Sequence, residues 1–281
     1  MMEPFGVVSG AVGIASAFTA CIQCFQYVQL GRNFGRDFQP NLLLLDSIGL
    51  RLSRWGEAVD IYADPSLGNP NATPEELQNA KGTLFQILSL FEDTKAISQK
   101  HQVSAKSGEA LFEPPASCLD PAGAALSNTM RALAARRQKG ASIIKKAQWA
   151  LHHGSEFKRL IESVTLLLGN LEAMFPPPPD RQATLIRGEV QEVRDKQQLE
   201  LLLGAAIGVD EGLRKAATEA LAGHQYRDVE VKGKALNGDA FGRDWQRGAI
   251  GKSNMYERIV VEHGGKALNG NQYAGKDFWD D

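Results

Sequence analysis

One short segment occurs twice in the C-terminal part of this chain, and the duplication is what most constrains the fold. KGKALNG occupies residues 232–238, and GGKALNG follows at residues 264–270. When the flanking residues are aligned, Tyr226 falls on Tyr256, and Lys234 falls on Lys266 after a two-residue insertion near His263. Two segments that match position by position are typical of stacked rungs in a β-solenoid, about 4.7 Å apart.

The aligned columns have complementary chemistry. Opposite charges meet in three columns: Arg227 with Glu257, Asp228 with Arg258, and Lys232 with Glu262. The predicted amyloid core consists of the apolar columns Val229 with Ile259, Val231 with Val261, and Leu236 with Leu268. Polar ladders are predicted for Asn237 with Asn269 and for Asp239 with Asn271. The column of Lys234 and Lys266 pairs like charges, which we expect only if both side chains face solvent.

The tail, residues 223–281, is predicted to be a separate domain with pseudo-repeats at 226–245 and 256–279. Two rungs leave both sheet edges open, and repeat folds generally need about three units or more. We therefore expect a tail that is disordered in a single chain and ordered when many chains stack, each adding two rungs. From His224 onward the tail has nine Lys/Arg and nine Asp/Glu, so stacked copies carry no net repulsion. The alternative is a degenerate duplication in a disordered tail.

Residues 1–222 are predicted to form an all-α domain, because no strand-like alternation of useful length appears before about residue 225. Apolar residues recur at three- and four-residue steps from Leu42 to Val59, which predicts a core-facing helix. Thr73, Pro74 and Glu76 form a capping box with Pro at N1, which predicts a helix over about 74–99. Further helices are predicted over 126–153, 155–174, 183–193 and 197–221.

The N-terminal run from Pro4 to Gly31 contains no charged residue and is long enough to span a bilayer, which takes about 20 residues. Its many Gly, Ala and Ser residues keep its hydropathy mild. Small residues four positions apart, such as Gly6 and Gly10, allow helices to approach closely in lipid. We interpret the run as a buried first helix, with a constitutive membrane anchor as the alternative.

Composition argues against several functional classes. The net charge of -2 and the pI of about 6.2 leave no broad basic surface for nucleic acid. Helix 126–153 carries a basic cluster, which we interpret as a solvated face, with attraction to anionic lipid as the alternative. The cluster consists of Arg131, Arg136, Arg137, Lys139, Lys145 and Lys146. Cys21, Cys24 and Cys118 indicate a reducing, intracellular protein, and no motif suggests a metal site, a cofactor or an enzyme.

The chain resembles the fungal HET-s/HET-S heterokaryon-incompatibility family over almost its whole length. EPFGVVSGA, CFQYVQLGRNFGRDF and RLSRWGEAV are similar to the family's helical HeLo domain. GNQYAGKDFWDD is similar to the aromatic cap of the family's prion-forming domain, so the resemblance assigns that role to Tyr273, Phe278 and Trp279.

The resemblance implies a two-part protein: a HeLo helical bundle that acts as a cell-death effector, and a tail that forms a left-handed β-solenoid amyloid. An assembled amyloid, or the matching motif of a NOD-like receptor, would convert the tail. The HeLo domain would then insert its N-terminal helix into membrane and form pores. The residues assigned to that helix are Phe5, Gly6, Gly10, Gly13, Ile14 and Phe18.

These implications set the expected partners and location. We expect a homo-oligomeric amyloid, with a HeLo dimer as a further option, and membrane lipid as a partner after activation. The protein would be cytoplasmic when soluble and at the cell membrane once active. The alternative is a non-toxic, prion-propagating partner whose HeLo domain is not itself pore-active. Asp239 stands where the family usually has a ladder Asn, which bears on cross-seeding with relatives rather than on stacking.

Overall fold

The structure is a computed structural model that describes residues 13–30, 37–104, 119–139, 149–151, 154–193, 195–222, 225–232, 234–237, 255–263 and 265–269. The helices are α1 (Ile14–Tyr27), α2 (Phe38–Ala58), α3 (Pro74–Ser104), α4 (Pro121–Arg136), α5 (Gly154–Met174), α6 (Pro179–Gln191), α7 (Lys196–Ala206) and α8 (Glu211–Ala222). The strands are β1 (Val28–Leu30), β2 (Trp149–Leu151), β3 (Gln225–Val231), β4 (Lys234–Asn237), β5 (Met255–Val261) and β6 (Lys266–Asn269).

Helix α2 is the central element of the helical domain. Its Ile48 and Leu52 belong to a hydrophobic cluster shared with α1, α3 and α5. Its Leu43 and Leu50 belong to a second cluster, shared with α4, α6, α7 and α8. The predicted core-facing helix is therefore confirmed, and it is buried on two sides rather than one.

Local hydrogen bonding fixes several helix ends. The Thr73 hydroxyl accepts a hydrogen bond from the Glu76 backbone N–H at 3.2 Å, and the Thr73 N–H donates to the Glu76 carboxylate at 2.8 Å. The predicted capping box is therefore confirmed. Helix α5 ends at Met174, before the run of prolines at 176–179, as predicted. Next to that end, Trp55 Nε1 on α2 donates to the Phe175 carbonyl at 3.0 Å.

The single helix predicted over 197–221 is wrong, because the structure divides it into α7 and α8. Gly208 adopts a positive φ of 75°, a conformation that glycine accepts readily and that ends a helix. Asp210 then starts α8 by accepting a hydrogen bond from the Leu213 N–H at 3.0 Å.

The prediction that no strand precedes residue 225 is also wrong. Strand β1 continues directly from α1 and pairs in parallel with β2, with Val28 opposite Trp149 and Leu30 opposite Leu151. The helix predicted over 126–153 instead ends at Arg136, since residues 149–151 pair with β1. Strands of three residues are too short for an alternation pattern to reveal, so the pairing depends on tertiary contact.

The tail forms two parallel pairs, β3 with β5 and β4 with β6. This differs from the expectation of a tail that is disordered in a single chain. The two repeats supply each other with a matching strand, so backbone N–H and C=O groups are satisfied within one molecule. Helix α8 ends at Ala222 and β3 begins at Gln225, so the tail follows the helical domain with almost no linker.

Candidate functional site

The tail strands pair in the register that the repeat alignment gives. Tyr226 lies opposite Tyr256 in β3 and β5, and Lys234 lies opposite Lys266 in β4 and β6. Between the two pairs the chain turns at Gly265. A Cβ on that residue would lie 2.9 Å from Val261 Cγ1 and 3.1 Å from the Val231 carbonyl oxygen, so the turn requires glycine.

The apolar columns are only partly enclosed in the single chain. Val231 is buried at 4% exposure, whereas its partner Val261 is 43% exposed. Val229, Ile259 and Leu268 are half-buried. Leu236 pairs with Leu268, but its side chain lies outside the described residues. Two strands leave one face and both edges of each pair uncovered, so a complete core would need further layers.

The charge columns differ in how the structure arranges them. Lys232 Nζ lies 3.7 Å from the Glu262 carboxylate and 3.1 Å from that of Glu230. Arg227 and Glu257 are direct backbone partners. Arg258 has a positive φ of 51°, and the pairing passes from Glu257 to Ile259, so the column predicted for Asp228 with Arg258 is not a regular pair.

Several predicted tail residues have no structural account. Asn237 and Asn269 are backbone partners, and their side chains lie outside the described residues. The other ladder positions and the aromatic cap lie entirely outside them: Asp239, Asn271, Tyr273, Phe278 and Trp279.

Helix α1 is packed into the core by aromatic contacts. Phe18 is fully buried, with its ring centroid 6.4 Å from that of Trp55 and 5.9 Å from that of Tyr62. The Thr19 and Tyr62 hydroxyl oxygens are hydrogen-bonded at 2.7 Å. At the other end of α1, the Phe25 and Phe91 rings meet edge to face at 4.9 Å. These contacts hold an apolar helix against α2 and α3.

The two cysteines of α1 are inert packing groups in this state. Cys21 Sγ donates a hydrogen bond to the Leu84 carbonyl at 3.2 Å. Burial raises the pKa of the Cys21 thiol well above its usual value. Burial, followed by the charge of Glu92, raises the pKa of Cys24 to about 12. Neither thiol is therefore available as a thiolate nucleophile at neutral pH.

The residues assigned to membrane insertion divide between described and undescribed parts of the chain. Phe18 is buried, Ile14 is half-buried and Gly13 is exposed just before α1. Phe5, Gly6 and Gly10 lie outside the described residues. Within the described parts, no helix combines the length and the apolar character needed to cross a membrane.

A buried ionic network joins four helical elements, and no local pattern in the sequence predicts it. Arg54 of α2 is 2% exposed and contacts both Asp210, at the start of α8, and Glu189 of α6. Arg54 Nε lies 3.2 Å from Glu189, and Arg137, just after α4, donates to the same carboxylate at 2.6 Å. Burial raises the pKa of Glu189, with Arg54 and Arg137 opposing that shift. In the sequence around it, Arg54 looks like any exposed arginine of a helix, because its acidic partners lie far along the chain.

The basic cluster is only in part the solvated face that the sequence suggested, since Arg136 and Lys139 are exposed but Arg131 and Arg137 are half-buried. Arg137 belongs to the network above, and Arg131 pairs at 2.7 Å with the buried carboxylate of Asp46. Lys139 Nζ lies 5.9 Å from the centre of the Tyr62 ring. Arg136 remains exposed beside Glu192, and Lys145 and Lys146 lie outside the described residues. Four of these cations therefore contact the helical domain itself, two of them through buried carboxylates.

The described residues contain no group of His, Cys, Asp and Glu side chains arranged to hold a metal ion. The main features of the described parts are a tail of paired strands and, directly before it in the chain, a helical domain whose first helix is held by aromatic packing.

Comparison with known proteins agrees with this division. The family model HeLo, described as prion-inhibition and propagation, matches residues 6–202. The chain is 36% identical over 291 residues to heterokaryon incompatibility protein S of Podospora anserina, with complete coverage of both chains. It is 36% identical, with the same coverage, to heterokaryon incompatibility protein s of that species.

Solved structures show the same fold. The HET-S N-terminal domain is 38% identical and superposes with a TM-score of 0.69, covering 78% of this chain and 97% of that one. A mutant HET-s N-terminal domain is 35% identical, with a TM-score of 0.66 and coverage of 75% and 98%.

Proposed function

The chain belongs to the HeLo family, whose relatives here are heterokaryon incompatibility proteins, and we propose that it is an amyloid-triggered cell-death effector. Templated stacking of the tail would activate the helical domain, which would insert its N-terminal helix into membrane and form pores. The observation that carries this proposal is the parallel, in-register pairing of the two repeats.

Parallel pairing of this kind can be continued by further chains. β3 and β4 each pair on one side only within the described residues, as do β5 and β6. Each pair therefore presents open edges whose N–H and C=O groups suit another parallel strand about 4.8 Å away. The exposure of Val261 favours the addition of another strand, because a further layer removes this apolar surface from water.

The connection to the helical domain supports transmission of the trigger. Helix α8 ends at Ala222, and the tail strands begin at Gln225. Asp210, at the start of α8, is paired with Arg54 near the C-terminal end of α2, and α2 also packs against α1. A rearrangement at the tail therefore has a short physical route to the helix that would enter the membrane.

Membrane can replace the protein core as the environment of the N-terminal segment. The uncharged run from Pro4 to Gly31 is longer than α1 and exceeds the span of about 20 residues that a bilayer requires. A protein core and a lipid interior both accept such a segment, so a change elsewhere can shift it from one to the other. This function needs no catalytic residue and no cofactor.

The direct test seeds purified full-length protein with fibrils of the tail in the presence of dye-loaded vesicles. We expect a fibre reflection at about 4.8 Å and release of the dye in the same sample. Fibres without release would instead support the non-toxic, prion-propagating relative. Absence of fibres after seeding would refute the proposal.

A charge exchange tests the register on which the proposal depends. Lys232→Glu sets two carboxylates against each other at Glu262 and should slow seeded assembly. Adding Glu262→Lys restores an opposite pair and should restore assembly. If the double variant assembles no faster than the single variant, stacking does not use this register.

A further inference from the structure

The last three helices of the helical domain cover one face of α2 and α4. They follow α5 through the short connection at residues 175–178, and the tail strands begin three residues after α8. We call this segment, residues 179–222, the C-terminal cover. Its apolar side chains share a hydrophobic cluster with four residues of α2 and α4: Leu43, Leu50, Leu126 and Met130. Because the cover adjoins the tail in the chain, a change in the tail reaches it first.

The ion pairs that hold the cover all have the same polarity. They join Arg54 to Glu189 and Asp210, Arg137 to Glu189, and Arg136 to Glu192. Among the described residues, every ion pair between the cover and the rest of the helical domain has its arginine on the α2 or α4 side and its carboxylate on the cover. Displacing the cover would therefore separate three neighbouring arginines from these carboxylates, and cations left without partners attract another anion.

Two of the arginines meet on one oxygen atom, which indicates the kind of ligand that suits them. Arg54 Nε lies 3.2 Å from Glu189 Oε1, and Arg137 Nη1 donates to the same oxygen at 2.6 Å. Glu189 is 2% exposed, and its Oε2 is buried and accepts no hydrogen bond from the described residues. Guanidinium groups bind phosphate as well as carboxylate, through forked contacts. A phosphate group offers these arginines more oxygen atoms than the Glu189 carboxylate does.

We propose that Arg54, Arg136 and Arg137 form a latent binding site for anionic phospholipid headgroups, which the carboxylates of the cover occupy in the unseeded chain. The inference rests on the proposed function, because stacking of the tail supplies the change that displaces the cover. It adds a site at which the helical domain binds the membrane surface, separate from insertion of the N-terminal helix. In the unseeded chain, the cover is an internal substitute for lipid phosphate.

The apolar surface beneath the cover is the reason for assigning a bilayer rather than a soluble phosphate compound. Leu50 of α2 and Leu126 of α4 are almost fully buried, and both belong to the cluster shared with the cover. Displacing the cover exposes them together with the arginines. A bilayer interface accepts both, since apolar side chains reach the acyl boundary and guanidinium groups reach the phosphates. A soluble phosphate compound gains nothing from the leucines.

The first test labels the arginines of full-length protein with phenylglyoxal and reads each position by mass spectrometry. Arg54 is 2% exposed and should be protected in unseeded protein. Seeding with tail fibrils should speed its labelling by about tenfold or more, because the cover opens. Vesicles of phosphatidylcholine with phosphatidylserine should restore protection, and vesicles of phosphatidylcholine alone should not. Arg181 and Arg187, exposed on α6, are the internal controls and should be labelled equally in every sample.

The second test measures cosedimentation of seeded protein with the same vesicles. Arg136→Gln/Arg137→Gln should lower the affinity for anionic vesicles by about tenfold or more, since basic residues near such a surface each contribute to binding. Arg181→Gln/Arg187→Gln is the matched control, because it removes two exposed arginines from the cover itself. Its affinity should stay within about twofold of the unaltered protein, because charges far from the bound surface are screened.

A milder variant keeps the test decisive if the first double variant is unstable. Arg136→Gln changes an exposed pair and should still lower the affinity by about threefold or more. The site is refuted if neither variant binds more weakly than the unaltered chain, or if the control loses as much. It is also refuted if anionic vesicles do not protect Arg54. Stronger displacement by sodium phosphate than by sodium chloride of equal ionic strength would identify a site for soluble phosphate and overturn the assignment to a bilayer.

The labelling result separates this inference from the proposed function. Fibres that release vesicle dye while Arg54 stays protected would refute the latent site and leave the proposed function intact. Protection of Arg54 by anionic vesicles without dye release would support the site and refute pore formation. Absence of fibres after seeding would refute both.

Discussion

Gly56 allows α1 to pack closely against α2, and replacing it with alanine tests how tightly the first helix is held. A Cβ at residue 56 would lie 2.3, 2.4 and 3.0 Å from three atoms of the Phe18 ring. Carbon atoms in contact prefer separations of about 3.5–4.0 Å, so the ring must move. Phe18 is fully buried between Trp55 and Tyr62, which leaves it little room to do so.

The size of the effect follows from two opposing contributions. Forcing extra volume into a packed core costs about 1–3 kcal/mol. Alanine in place of glycine inside a helix contributes about 1 kcal/mol of stability. Gly82→Ala is the matched control, because it lies inside α3 with no other atom within 4 Å of the added Cβ. Gly56→Ala should therefore be less stable than Gly82→Ala by about 2 kcal/mol.

Urea unfolding of unseeded protein, followed by circular dichroism, measures that difference. A smaller side chain at residue 18 should relieve the clash, so Gly56→Ala should cost less in a Phe18→Leu background. Equal unfolding free energies for Gly56→Ala and Gly82→Ala would refute the close packing of α1 on α2. In seeded protein, Gly56→Ala should also speed vesicle leakage, since a loosened α1 leaves the core more readily.

Three further predictions concern the network, the thiols and pH. Arg54→Met should lower the free energy of unfolding by about 3 kcal/mol in urea titrations, because it leaves buried carboxylates without their positive partner. Arg136→Met, at an exposed pair, is the control and should change that free energy by less than about 1 kcal/mol. In a Cys118→Ser background, maleimide should not label Cys24 before seeding and should label it after seeding with vesicles; labelling that is equal in both states would argue against release of α1. Hydrogen bonds from Thr73 hold the pKa of Glu76 below its usual value. The stabilisation from these bonds is therefore present above the ordinary glutamate pKa and is lost as the pH falls through the lowered pKa. The free energy of unfolding of Glu76→Gln should fall less steeply with acid than that of the unaltered protein, and identical pH profiles would contradict the capping box.

The features that sequence reasoning predicted well depend on local patterns. The apolar period of α2 and the capping box at Thr73 each involve residues within a few turns of one another. The tail register was also accessible, because the duplication encodes the pairing of Tyr226 with Tyr256 directly in the order of residues.

The features that it missed depend on contacts between distant parts of the chain. Arg54 and Asp210 are separated by 156 residues, and nothing near either one announces a buried pair. The short strands β1 and β2 lack enough residues to show alternation. Gly208 and Asp210 did carry a signal for the break between α7 and α8, because glycine followed by a capping residue is a common helix boundary.

The pairing of β1 with β2 has a consequence for any departure of the first helix. Strand β1 follows α1 without interruption, so withdrawing α1 also strips the partner from residues 149–151. Before α1 can leave the domain, the backbone hydrogen bonds between β1 and β2 must therefore break together with the apolar contacts of the helix. Once open, β2 would be a new unpaired edge inside the helical domain, able to accept a strand from another molecule.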